Sequence, residues 1–88
     1  MKPIANPNIV FREEFDSWAI LFNPNTGDTF GLNPVSFFIW KHLDGINDIK
    51  LILSKLLNEC SGVPNEAEIY IKKFINQLIE KDLASLSL

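Results

Sequence analysis

The sequence predicts a single α+β domain, and three observations predict it. Apolar residues alternate at period two through the first third of the chain. They recur at spacings of three and four through the rest. Between these regimes, a glycine-closed turn at Thr26 and Gly27 leads into a short strand that runs directly into a helix ending near Asp44 and Gly45. Three strands followed by three helices, within 88 residues, make one domain over residues 1–88.

The first strand is expected over residues 9–14, with Ile9 and Phe11 on one face and Val10 and Arg12 on the other. The second, residues 17–23, places Trp18, Ile20 and Phe22 on one face and Ala19 and Leu21 opposite. Asn23-Pro24-Asn25-Thr26-Gly27 is a turn by composition: proline fixes φ, while asparagine and glycine tolerate positive φ. The third strand, residues 28–32, puts Phe30 and Leu32 on one face. Connections this short favour an antiparallel meander spanning about residues 9–32.

Asn33 is the natural cap of the first helix, expected over residues 34–44, and Pro34 suits its first position. Val35, Phe38, Ile39, His42 and Leu43 form its stripe, with Phe37 and Trp40 to one side and Gly45 as terminator. The second helix, residues 48–60, aligns Ile49, Ile52, Leu53, Leu56, Leu57 and Cys60. Ser61-Gly62-Val63-Pro64 breaks the pattern. The third helix, residues 66–82, is introduced by Asn65 with Glu68 three residues on, a capping-box spacing. Its core stripe is Ala67, Ile71, Phe74 and Leu78. Tyr70 and Gln77 flank one side, Ile75 and Ile79 the other, and Leu83 is expected to fold back onto the core.

A hydrophobic content of 47% argues against disorder, and a net charge of −3 argues against a dedicated nucleic-acid binder. The lone Cys60 excludes an internal disulfide and a Cys-x-x-Cys metal site. No apolar run approaches the roughly 20 residues of a membrane span, and the N-terminus lacks a signal-peptide core. The expectation is a soluble cytoplasmic protein with no metal, no cofactor, and no membrane or nucleic-acid partner. A sheet of three strands keeps two edges, and a free edge is a site for strand addition.

The words Asn25-Thr26-Gly27, Phe30-Gly31-Leu32-Asn33, Trp40, Asp44-Gly45 and the closing run Phe74 to Leu83 come in a specific order. Over about residues 9–83 the chain resembles the PqqD-like family, also called RiPP recognition elements. Asp82 departs from the resemblance, standing where the family often has glycine; aspartate can adopt the left-handed helix-end conformation at some cost. The resemblance implies a winged-helix-like fold: a three-stranded antiparallel sheet followed by a three-helix bundle. It also implies a binding module without chemistry of its own. Such a module recognises the leader of a ribosomally made precursor peptide and presents it to a modifying enzyme, often a radical S-adenosylmethionine protein. The leader adds as a strand along the third strand. On this chain the docking strand is Asp28, Thr29, Phe30, Gly31 and Leu32, and the helix wall is Tyr70, Ile71, Lys73, Phe74 and Gln77.

Each candidate has a plainer reading. Phe30 and Leu32 suit a core as well as a groove floor, and Phe37 and Trp40 read as core packing. His42 has no neighbouring ligand or nucleophile, and Cys60 reads as a small buried hydrophobe. Glu13, Glu14 and Asp16 read as a solvated strand end. Two rival functions follow. A winged-helix DNA-binding regulator would need a basic third helix, yet residues 65–82 hold three lysines against four acidic residues. A protein adaptor would leave the groove unused. The sequence leaves the precursor, its modification and the oligomeric state open.

Overall fold

The computed structural model describes residues 2–60 and 66–87. Strands β2 (Val10–Glu13), β3 (Ala19–Phe22) and β4 (Thr29–Leu32) form the expected antiparallel meander in the order β2-β3-β4. Leu21 opposes Phe11 on one side and Phe30 on the other. Phe11, Ala19, Leu21, Phe30 and Leu32 therefore share a face, and Leu21 and Leu32 are fully buried there. The β2–β3 hairpin closes on Asp16 and Ser17, both at positive φ (53° and 63°), with the Trp18 amide donating to Phe15 O at 3.0 Å. That is a type I′ turn, whose twist matches the strands. Ser17 thus belongs to the turn and not to the second strand. The β3–β4 loop closes with Gly27 at φ 81°, its amide donating to Asn23 O at 2.8 Å.

Helix α1 (Pro34–Lys41) starts as its sequence dictates: the Asn33 side chain accepts from the Ser36 amide at 2.8 Å. Its buried face is Ser36, Phe37, Ile39 and Trp40, so Phe37 and Trp40 are core and the expected stripe is rotated toward them. The helix ends at the His42 cap, short of residue 44. Tertiary pairing explains this. The Leu43 carbonyl accepts from Ala5, Gly45 donates to Pro3, and the Asp44 carboxylate accepts from the amides of Ile46 and Asn47. Backbone committed to these partners cannot continue the helical ladder.

Helix α2 (Ile49–Glu59) is capped by Asp48, which accepts from the Leu51 amide at 2.8 Å. Ile52 and Leu56 are its buried residues, while Leu57, expected on the inner stripe, is exposed. Helix α3 (Ala67–Glu80) buries Ala67, Ile71, Phe74, Ile75 and Leu78. The expected break at Ser61 to Pro64 and the Asn65 cap lie outside the described residues. Asp82 takes the left-handed conformation (φ 59°); its amide donates to Ile79 O and that of Leu83 to Leu78 O at 2.8 Å. This is a Schellman closure built on aspartate. It sends Leu83 into the core, as expected.

One element was not anticipated. Strand β1 (Lys2–Ala5) pairs antiparallel with β5 (Ala84–Ser87), from Lys2↔Ser87 to Ala5↔Ala84. This ribbon ties the two ends of the chain together, with Pro3 fully buried and Ile4 bridging to Asp44.

Candidate functional site

Among the described residues, β4 is paired on one side only. Which of its backbone groups face outward follows from the register. Asn23 N–H donates to Asp28 O at 2.9 Å, so residues 23 and 28 are a hydrogen-bonded pair. Antiparallel pairs alternate between bonded and non-bonded. Leu21↔Phe30 and Ala19↔Leu32 are therefore the bonded pairs, while Phe22↔Thr29 and Ile20↔Gly31 are not. On the far side of the sheet, Glu14 donates to Trp18 O, consistent with the same alternation. Thr29 and Gly31 thus turn their N–H and C=O groups away from the sheet.

Helix α3 lies beneath this edge. The rings of Phe30 and Phe74 have centroids 6.2 Å apart, and Tyr70 stacks on Phe74 at 6.5 Å. The Tyr70 hydroxyl and Ser36 Oγ, 2.8 Å apart, join α3 to the start of α1. One depression is lined by Tyr70, Lys73, Phe74 and Gln77. Another, of about 190 Å³, is lined by Leu21, Asn23, Asp28, Thr29, Phe30, Lys81 and Leu83. Phe30 and Phe74 connect the two, so apolar rings form the floor and polar side chains stand at both ends.

The sequence-derived site residues divide accordingly. Asp28, Thr29, Gly31, Tyr70, Lys73 and Gln77 are exposed, and Phe30 is half-buried beside them. Leu32 and Ile71 are fully buried; their side chains support the groove and offer it no surface. Asn23 and Lys81 line the depression but were not among the sequence-derived residues. Lys81 was reachable, since Lys73, Gln77 and Lys81 fall four apart and share a helix face.

The remaining candidates have structural roles. His42 Nδ1 lies 2.8 Å from Phe38 O, with its ring against Phe38. Glu14 pairs with Arg12 at 3.3 Å. The Asp44 carboxyl is held below its ordinary range, first by the Ile46 amide and then by that of Asn47. Asn47 in turn accepts from Lys55 at 2.9 Å. This network staples the α1–α2 turn. Among the described residues there is no cluster fit for a metal ion, and no helix long and apolar enough to cross a membrane.

Residues 19–84 match the family model described as Coenzyme PQQ synthesis protein D (PqqD). Two solved structures share the fold. One, TbiB1 in complex with the TbiA(beta) leader peptide, is 25% identical with a TM-score of 0.78, covering 100% of this chain and 99% of that one. The other, lasso peptide synthetase B1 complexed with the leader peptide, is 20% identical with a TM-score of 0.79, covering 97% and 99%. No curated protein matches the chain.

Proposed function

Because the chain belongs to the PqqD family, we propose that it is a peptide-recognition protein which binds the leader of a precursor peptide by strand addition to β4. The observation that carries this reading is the open edge itself. Thr29 and Gly31 present free backbone donors and acceptors beside a groove floored by Phe30 and Phe74. Backbone bonds of this kind supply affinity with little regard to sequence, and pockets along the groove supply selectivity. Both solved neighbours are held with leader peptides, which supports a leader as the occupant.

A strand antiparallel to β4 runs from the Tyr70 end of the groove toward Asp28 and Lys81. Tyr70, Lys73, Phe74 and Gln77 then read its inward side chains. The bound peptide is handed to a modifying enzyme of the radical S-adenosylmethionine class, the partner that the family resemblance implies. The module itself contributes binding and not catalysis, in the cytoplasm where precursor peptides are made. A DNA-binding role finds less support: α3 and its flanks hold Lys72, Lys73 and Lys81 against Glu66, Glu68, Glu80 and Asp82.

The test is a fluorescence-anisotropy titration with dodecapeptides tiling the short reading frames beside the gene. Hydrogen exchange is followed on the tightest complex. Protection confined to residues 28–32 and the facing turns of α3 is expected. Saturable binding with protection elsewhere would move the site off β4.

A further inference from the structure

Gly31 is the residue of β4 whose identity the fold does not explain. Among the described glycines, positive φ occurs at Gly27 and Gly45 and not at Gly31. A Cβ added to it would meet nothing within 4 Å. Edge strands favour β-branched side chains, and glycine weakens a strand. What the missing side chain does create is a gap on the outer face of the sheet. There Gly31 opposes Ile20, with Trp18 and Phe22 to either side of Ile20 along β3 and Val10 opposite Phe22. Trp18 is 50% exposed, Val10 51% and Phe22 38%. The helices pack on the other face, through the contacts of Phe11 with Phe37 and Phe30 with Phe74.

We propose that Gly31 is a saddle across which one large apolar side chain of the docked leader reaches Ile20, so that the leader is read on both faces of the sheet. The inference rests on strand addition at β4. In that arrangement the leader residue opposite Gly31 exchanges both backbone bonds with it, and its side chain emerges on the outer face. Strands lie about 4.8 Å apart, so Ile20 stands roughly 10 Å from the docked backbone. A phenylalanine, tyrosine or leucine leaning over a bare Cα can meet the Ile20 side chain partway, in the manner by which cross-strand aromatics cover edge glycines. Any Cβ-bearing residue at position 31 fills that path. The leader residues before and after this one face inward, toward Phe30, Phe74 and Tyr70. The site therefore selects three consecutive large apolar residues, because a strand covered on both faces loses its polar alternation. The occupant is the leader and not a second copy, because the saddle is continuous with the free Thr29 and Gly31 groups, and both solved neighbours hold leader peptides.

The probe is the tightest dodecapeptide from the tiling titration. Gly31→Val keeps the N–H and suits a strand. It should melt no lower than the parent yet bind at least tenfold more weakly. Ser85→Val, which places the same side chain at an exposed strand position on the separate β1–β5 ribbon, should stay within twofold. Replacing the peptide's central apolar residue by alanine should cost at least tenfold against the parent but under twofold against the G31V protein. Parental affinity in G31V, with residues 29 and 31 still protected, overturns the saddle and leaves strand addition standing. Failure of every peptide to protect those amides overturns both. A dimer by sedimentation, with residues 29 and 31 protected in the absence of peptide, would assign the face to a second copy and also overturn the saddle.

Discussion

Proline scanning of β4 gives the sharpest check on the edge, because the alternation makes neighbouring positions respond in opposite ways. Gly31 N–H points away from β3, so Gly31→Pro removes no bond from the β3–β4 ladder. The preceding Phe30 is already extended, the conformation proline demands of its neighbour. The fold should survive, as proline is tolerated on an edge strand with its nitrogen toward solvent. Phe30 N–H points inward, to Leu21. Phe30→Pro deletes that bond and the contact with Phe74, and should destabilise by about 3 kcal/mol or more. Binding reports on the outward groups. Gly31→Pro loses one intermolecular hydrogen bond, about 1 kcal/mol, and strands a leader carbonyl, about 1 kcal/mol more at the low end. A total of about 2 kcal/mol corresponds to roughly a 30-fold weaker Kd. Urea denaturation measures the first effect and anisotropy titration the second. If Gly31→Pro unfolds as Phe30→Pro does, the assignment of inward and outward groups is wrong. If Gly31→Pro folds and binds a verified leader unchanged, strand addition does not occur at this edge.

Other outcomes follow from the same geometry. Lys73→Glu and Gln77→Ala, both exposed, should shift stability by less than about 0.5 kcal/mol while changing leader affinity; unchanged affinity in both would place the groove elsewhere. Ser17→Gly relieves a residue at φ 63° in the type I′ turn and should raise stability by about 0.5–1 kcal/mol in urea titrations. Asp82→Gly, at φ 59°, should do the same, read as a higher melting temperature. Asp44 is held below its ordinary value of 3.8 by the amides of Ile46 and Asn47. A carboxyl depressed in the folded state stabilises fully above its unfolded pKa, and that contribution is lost as pH falls from 3.8 through the folded value. The difference in urea midpoint between pH 5 and pH 2.5 should therefore shrink in Asp44→Ala; an identical pH dependence would show that Asp44 carries none of it.

The order of the three meander strands and the three helices, and the starts of two helices, were legible in the sequence. Local chemistry suffices for these: the side-chain oxygens of Asn33 and Asp48 accept from amides three residues away, and Gly27 meets a positive φ inside its own loop. Period-two alternation assigned Ala19 and Leu21 to one face, and the core stripe of α3 came from its spacing. The docking strand was legible by resemblance, and Lys81 by helical arithmetic. The rest depends on contacts between distant segments. The β1–β5 ribbon pairs residues as far apart as Lys2 and Ser87, through four-residue segments, one containing a proline and the other alternating over too short a run to mark a strand. Such pairing leaves no local trace, because its hydrogen bonds depend on where α3 delivers Leu83. The early stop of α1 has the same origin, since β1 claims the backbone of Leu43 and Gly45. Which amides of β4 stay free is decided by the register against β3, fixed where Asn23 meets Asp28. Sequence names the edge strand, but a one-residue slip would exchange every inward group for an outward one. The site therefore exists only once the hairpin has closed.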